Sequence, residues 1–171
     1  MATANTQPPS AVRLTQYAAL DIKGADAEKF LQGQASAQVG LANGTFAPLT
    51  CFCTPKGRML ANGQLLRLGS DHFRLVLDAS LADGLLTHLK KFAAFYKAEL
   101  SVVGSVTFAG ASEPADTLAN QLDITLPDQP YTHTTSSKGT ALRMPGKPRW
   151  LLMFEKDASD LVNSDDALHN E

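Results

Sequence analysis

Two cations and two side-chain amides are the residues of this chain best suited to bind a ligand. Lys56 and Arg58 flank Gly57 in a Thr-Pro-Lys-Gly turn between β-prone segments, which predicts a hairpin with both cations at its bend. Gln32 and Gln34 stand upstream, at the predicted end of a helix. Amides and cations together suit a ligand with both a heterocycle and carboxylates. The alternative is a solvated hairpin tip, where cations are common and without function.

The buried amide has two possible roles. Gln34 shares a helix face with Phe30 and Leu31, so it is expected to point inward. A buried glutamine must find hydrogen-bond partners or it costs about 1–3 kcal/mol. The Gln34 amide is expected either to orient a ligand or to hydrogen-bond the following loop and so hold it against the helix. The second role is favoured.

A helix and a three-stranded meander must position these side chains. The helix is predicted to begin at Gly24-Ala25-Asp26 and to end near Gln34. Strands are predicted at 45–53, 58–68 and 71–77, because alternating apolar residues are separated there by turn signals. A second helix over 80–97, with a Ser80–Asp83 capping-box pattern, should pack on this meander. The sequence therefore predicts an α+β fold, an antiparallel sheet with packed helices.

The chain is predicted to divide into three parts. Residues 1–11 form a flexible lead-in, 12–108 form a complete N-terminal module, and 109–171 form an incomplete second module with Pro/Ser/Thr-rich connections. Single strands are expected at 13–22 and 100–108 in the first module. In the second module, strands are expected at 149–154 and, more weakly, at 121–126 and 141–144, followed by a weak helix over 157–168. The partners of these later strands are not expected within the chain, so exposed strand edges predict self-association.

Composition excludes several classes of function. The 171 residues carry a net charge of −2 and no block of basic residues, which disfavours direct nucleic-acid binding. No apolar stretch is long enough to span a membrane. The two cysteines, Cys51 and Cys53, cannot complete a tetrahedral metal site, and the histidines show no ligand spacing, so no metal is predicted. A cytoplasmic protein is the expectation.

Several motifs in a fixed order resemble a known family. They are Phe30-Leu31-Gln32-Gly33-Gln34, then Pro55-Lys56-Gly57-Arg58, then Leu66-Arg67, then Phe73-x-Leu75-x-Leu77 and a helix ending in Lys90-Lys91-Phe92. The chain resembles the N-terminal portion of the YgfZ-type folate-binding proteins, which are relatives of the glycine cleavage system T-protein. The resemblance covers residues 12–106 and, more loosely, 149–152.

The resemblance implies both a fold and a function. It implies ferredoxin-like layers of the T-protein type and tetrahydrofolate as the ligand. It also implies a role in assembling or repairing iron–sulfur clusters, with an indirect effect on tRNA modification and iron–sulfur proteins as partners. The family's Lys-Gly-Cys-aromatic motif does not occur in this sequence, and the acidic position after the Gln-Gly-Gln segment is Gln38. The chain is therefore expected to be a fragment or a truncated form.

The residue at position 62 distinguishes folate binding alone from aminomethyl transfer, the two functions known for proteins of this resemblance. The acidic pair that T-proteins carry after the glycine turn falls near Ala61 and Asn62 here. An amide cannot accept a proton as a carboxylate does, but it can hydrogen-bond to a pterin edge. The resemblance therefore implies folate binding rather than aminomethyl transfer. The alternatives are a folate-dependent aminomethyltransferase and a structural domain without a ligand.

The predicted binding residues all carry an amide or a cation at the end of the side chain, and all lie at the helix end or on the hairpin. They are Gln32, Gln34, Lys56, Arg58 and Asn62. No catalytic residue is predicted.

Overall fold

The computed structural model describes residues 11–112, 119–120, 123–146 and 149–154, which form strands, two α-helices and a short 3-10 turn. In chain order these elements are β1 (Ala11–Leu14), β2 (Tyr17–Lys23), α1 (Ala27–Gln34), the 3-10 turn (Val39–Leu41), β3 (Leu49–Cys53), β4 (Met59–Gly69), β5 (His72–Asp78), α2 (Ala79–Ala93), β6 (Glu99–Val103), β7 (Thr107–Ser112), β8 (His133–Ser136), β9 (Gly139–Arg143) and β10 (Arg149–Phe154).

The strands form two antiparallel sheets of five. The first sheet has the order β3-β4-β5-β2-β6, and the second has the order β1-β7-β10-β9-β8. Consecutive pairing of β3, β4 and β5 confirms the predicted meander. The predicted α+β class with an antiparallel sheet and packed helices is confirmed.

Both helices cover one face of the first sheet. Helix α2 buries Ala82, Leu85, Leu89 and Ala93 against the strands. Leucines four residues apart predict an inward face, which Leu85 and Leu89 form, whereas Phe92 on the same predicted face is 37% exposed. This core also takes side chains from α1 and from alternate positions of the central strands. Its largest fully buried members include Leu20, Ile22, Phe30, Leu31, Phe52, Leu65, Phe73, Leu75 and Leu89.

The start of α2 differs from the predicted capping box. Asp78, the last residue of β5, is the N-cap, and its carboxylate accepts a hydrogen bond from the Ser80 backbone N–H at 2.9 Å. The Ser80 hydroxyl donates to the same oxygen at 2.6 Å. Two hydrogen bonds to one carboxylate lower the pKa of Asp78 below its ordinary value. The helix ends at Ala93 rather than at residue 97.

The second sheet packs on the other face of the first sheet. Ala19, Leu66 and Val76 of the first sheet form one buried cluster with Phe108, Leu151 and Met153 of the second sheet, among others. The molecule therefore has three layers: helices, the first sheet and the second sheet. We call the space between the two sheets the inter-sheet layer.

Two predicted single strands are in fact pairs of strands that belong to different sheets. The segment 13–22 divides into β1 and β2, and the segment 100–108 divides into β6 and β7. Both single-strand predictions were wrong because the chain crosses from one sheet to the other at Thr15-Gln16 and at Gly104-Ser105-Val106. Apolar periodicity does not reveal such a crossing, since both halves are β-prone and half-buried.

The later strands find partners within the chain. Strand β10 pairs with β7 and β9, and β7 pairs with β1. The prediction that these strands lack partners is wrong for the described strands. Residues 123–126 form no strand, whereas 139–143 and 149–154 do. The predicted boundary after residue 108 falls inside β7. Residues 121–122 and the predicted helix over 157–168 lie outside the described residues.

Candidate functional site

The bend between β3 and β4 has the predicted form. The Gly57 N–H donates to the Thr54 carbonyl at 2.8 Å, and the Thr54 N–H donates to the Arg58 carbonyl at 2.8 Å. The Thr54 hydroxyl oxygen also accepts from the Arg58 N–H at 3.1 Å. Gly57 has φ +87°, a left-handed conformation that favours glycine. The turn is closed by its own backbone, and Lys56 and Arg58 lie exposed on it.

At the end of α1, one glutamine holds the following loop. The side-chain Oε1 of Gln32 accepts a hydrogen bond from the Val39 N–H at 2.9 Å. Gln34 is partly buried and is the last residue of α1. The loop-tying role favoured for Gln34 is therefore carried out by Gln32, whose amide nitrogen takes no part in that bond.

The end of α1 is joined to strand β3. The Ser36 N–H donates to the Cys51 carbonyl at 2.9 Å, and the Cys51 N–H donates to the Ser36 hydroxyl oxygen at 2.9 Å. Ala35 forms an isolated bridge with Phe52. The segment after α1 therefore continues the first sheet beyond β3.

Asn62 lies one strand away from this junction. It is the register partner of Cys51 on β4, and its side chain is exposed. The backbones of Ser36 and Asn62 are two strand spacings apart, a distance of about 10 Å. We call the region formed by the α1 end, the hairpin bend and Asn62 the hairpin corner. It brings the five predicted residues to one edge of the first sheet.

Three clefts open elsewhere on the described surface. One of about 410 Å³ lies at the edge of the inter-sheet layer, between Leu14, Tyr17, Met144, Arg149 and Trp150. The others, of about 330 and 530 Å³, are lined in part by Arg67 and by Tyr96. None of these three clefts is lined by the five predicted residues. Four of the five, all except Gln34, have exposed side chains.

The inter-sheet layer contains a charge cluster of Asp21, His72 and Arg74 that the sequence did not predict. The Arg74 guanidinium donates to the Asp21 carboxylate from Nε at 2.7 Å and from Nη2 at 3.1 Å. The His72 ring nitrogen Nε2 lies 2.9 Å from the same carboxylate. Burial alone raises the pKa of Asp21, but hydrogen bonds and charge attraction from Arg74 and His72 outweigh it and lower the pKa.

A second buried group is the ring of His133, for which no hydrogen-bond partner lies among the described residues. It is 2% exposed, and both ring nitrogens lack a hydrogen-bond partner among the described residues. Burial lowers the pKa of His133 to about 4, because the cationic form loses its hydration. The register places it opposite Leu142, a member of the inter-sheet cluster, so neutral His133 belongs to that layer.

The position of His72 and Arg74 on β5 explains why the charge cluster was missed. His72 and Arg74 alternate with the apolar residues of β5, which in a half-buried strand places them in solvent. The second sheet covers that face. The only signal in the sequence was the opposite charge of Asp21 and Arg74, and their pairing depends on a strand order that the sequence did not reveal.

Two kinds of feature are absent from the described residues. They contain no group of three or more His, Cys, Asp or Glu side chains that could hold a metal ion. None of their helices is long and apolar enough to cross a membrane.

Comparison with known proteins identifies relatives of this chain. It is 31% identical over 166 residues to the tRNA-modifying protein YgfZ of Cronobacter sakazakii, covering 96% of this chain and 50% of that protein. It is 33% identical over 168 residues to the protein of the same name from Klebsiella pneumoniae, again covering 96% and 50%. The chain thus spans about half the length of these relatives. No model of a protein family matches the chain.

Solved structures give the same fold. The glycine cleavage system aminomethyltransferase T from Bartonella henselae superposes with a TM-score of 0.76 at 13% identity, covering 88% of this chain and 43% of that one. A chain of the heterotetrameric sarcosine oxidase from Corynebacterium sp. U-96 gives a TM-score of 0.56 at 15% identity, covering 88% and 77%. At such identities the likeness concerns the fold alone. The sequence relatives show that the chain is of the YgfZ type over about half the length of the YgfZ proteins, and the solved structures show that its fold is that of the T-protein.

Proposed function

We propose that this chain binds tetrahydrofolate at the hairpin corner and supports the maturation of iron–sulfur proteins, including enzymes that modify tRNA, in the cytoplasm. The observation that carries this proposal is the alignment of 96% of the chain with proteins named tRNA-modifying protein YgfZ. Because the chain spans about half of those proteins, their whole activity is part of the proposal.

The chemistry of the hairpin corner supports a folate ligand. A pterin edge presents hydrogen-bond donors and acceptors side by side, which the exposed side-chain amide of Asn62 can match. The exposed Lys56 and Arg58 suit the carboxylates of the glutamate tail, and Arg58 offers the paired donors that such groups favour. In this arrangement the ring contacts β4 and the tail extends along the bend.

The same geometry argues against aminomethyl transfer. Asn62 is exposed and presents an amide, and the neighbouring residue Ala61 is buried with its side chain in the helix-covered core. Neither residue can accept a proton as a carboxylate does. The aminomethyltransferase remains the second candidate because of the shared fold, and an Asn62→Asp variant that gains methylene transfer would favour it.

Equilibrium dialysis with tetrahydrofolate tests the proposal. The intact chain is expected to retain the ligand, and Asn62→Ala is expected to retain clearly less because the pterin contact is lost. Gln129→Ala removes an exposed amide far along the chain, next to β8, and should bind as the unchanged protein does. Equal retention by all three proteins, or none by any, would contradict the assignment.

A cellular measurement tests the biological part of the proposal. Expression in a bacterium that lacks its own YgfZ is expected to raise the level of tRNA modifications made by iron–sulfur enzymes. If the level of these modifications stays unchanged while the protein is present at normal abundance, the role in iron–sulfur maturation is contradicted. Folate binding is tested separately by the dialysis experiment.

We also propose self-association through strand edges. Among the described residues, β1 and β6 end their sheets without a further strand. Unpaired backbone groups along such edges can pair with a second copy. Sedimentation velocity should show association that depends on concentration, and a monomer at all concentrations would refute it.

A further inference from the structure

Three sulfur-bearing residues occupy neighbouring positions on the hairpin, next to its bend. Cys51 and Cys53 occupy alternate positions of β3 and are both free thiols. Met59 begins β4 and is the register partner of Cys53. None of the proposed folate-binding side chains is among them.

The thiols share the face of β3 that is turned away from the helices. Thr50 and Phe52 between and beside them are buried, and Phe52 belongs to the helix-covered core. Successive side chains of a strand point to opposite faces. Cys51, which is partly exposed, and Cys53, which is exposed, therefore lie side by side on the other face.

An irregularity in the ladder brings Met59 to the same place. Phe52 pairs with Ala61 but Cys53 pairs with Met59, so one residue of β4, Leu60, is extra at this point. Directly opposed side chains on antiparallel strands have Cβ atoms about 5 Å apart. The Met59 side chain is 56% exposed, which leaves its thioether accessible beside Cys53.

The backbone under these side chains is held on both sides. Cys51 bonds to the Ser36 backbone and hydroxyl on one side, and β3 is paired with β4 on the other. A ligand set fixed in this way loses little freedom when it binds an ion.

We propose that Cys51, Cys53 and Met59 form a binding site for Cu(I). Thiolate and thioether sulfurs are the soft ligands that select Cu(I). Two or three such ligands are too few for the four-coordinate site that Zn(II) adopts in structural centres. Binding replaces the proton on each thiol by a Cu–S bond, so two protons are released for each ion and affinity falls as the pH is lowered. The bound unit carries one negative charge, which the neighbouring Lys56 and Arg58 offset.

Anaerobic competition with a chromophoric Cu(I) chelator tests this site. The unchanged chain should remove one Cu(I) ion per molecule from the chelator. Cys51→Ser and Cys53→Ser should lose this stoichiometric binding, and Met59→Leu should keep one ion per chain with lower affinity. Cys53 and Met59 are exposed and Cys51 is partly exposed, so these variants are expected to fold, and a cooperative thermal melt checks that they do.

The control separates this site from folate binding. Asn62→Ala alters the residue opposite Cys51 without removing a sulfur, so it should bind Cu(I) as the unchanged chain does while it loses tetrahydrofolate. The proposal is overturned if the unchanged chain leaves Cu(I) with the chelator, if a Cys→Ser variant still takes one ion, if Met59→Leu binds with undiminished affinity, or if equimolar Zn(II) displaces Cu(I).

Discussion

Arg74 lies directly opposite Asp21 on neighbouring strands of the first sheet, and two hydrogen bonds of 2.7 and 3.1 Å join their side chains. Each of the two residues is only 4% exposed. The pair lies on the face that the second sheet covers, so its charges neutralise each other away from water. It is a structural feature of the inter-sheet layer, separate from the hairpin corner.

Removing one member of this pair should destabilise the fold strongly. Asp21→Leu leaves the Arg74 guanidinium buried without its carboxylate, and arginine does not lose its proton. We expect a loss of about 3–5 kcal/mol in the free energy of unfolding, measured by urea denaturation. The double variant Asp21→Leu/Arg74→Met removes both charges and should recover most of the loss. A single variant that costs less than about 1 kcal/mol would show that the pair behaves as an exposed one.

His133 should make stability depend on pH in a defined range. Its pKa is about 4 in the folded protein, against 6.5 for an exposed histidine. The unfolded chain therefore takes up a proton between these values while the folded chain does not. Stability should be fully present above pH 6.5 and should fall by on the order of 3 kcal/mol as the pH approaches 4.

The matching variant is His133→Phe, which cannot be protonated. Its melting temperature should fall less between pH 7 and 4 than that of the unchanged protein. Asp21 does not interfere, because its lowered pKa places its own loss of stability below about pH 4. The same slope in both proteins would assign the pH dependence to other groups.

Two glycines should respond to alanine in opposite directions. A Cβ atom on Gly63 would collide with the carbonyl oxygen of Val76 on the neighbouring strand. Gly63→Ala is therefore expected to cost about 1–3 kcal/mol in unfolding free energy. A Cβ on Gly33, within α1, would meet nothing within 4 Å, so Gly33→Ala should stabilise the protein by roughly 0.5–1 kcal/mol. Thermal denaturation of both variants checks this, and equal shifts would contradict it.

Local features of the fold were predictable from the sequence. The alternation of Phe73, Leu75 and Leu77 predicted β5, and the Thr-Pro-Lys-Gly turn predicted the hairpin bend. Both depend on interactions between residues close in sequence, which periodicity and turn chemistry record directly. The Leu-spaced segment that follows likewise predicted a helix packed on the meander, and Leu85 and Leu89 of α2 are buried there.

The exchange of strands between sheets was not predictable in this way. Strand β1 pairs with β7, almost a hundred residues later, as in the pairing of Leu14 with Phe108. Pairing at that separation leaves no local pattern. Because the second sheet was not foreseen, neither was the burial of Arg74 and His133 between the sheets.

The candidate site was predictable only in part. Motif order grouped the five predicted residues, and the contact of Ser36 with Cys51 places the end of α1 beside the hairpin. The contact of Gln32 with Val39 depends on the path of the loop, which residue types do not determine. The sulfur cluster of Cys51, Cys53 and Met59 depends on the irregularity after Phe52, which a turn signal does not record.

Calorimetric titration with tetrahydrofolate tests the central claim, folate binding at the hairpin corner, most directly. The comparison is between the unchanged chain, Lys56→Ala/Arg58→Ala, and Lys90→Ala/Lys91→Ala, which removes the same charge from the last turn of α2. We predict saturable binding to the unchanged chain and to the α2 variant, and much weaker binding to the bend variant. Equal binding by all three proteins, or no heat of binding to the unchanged chain, would contradict the account.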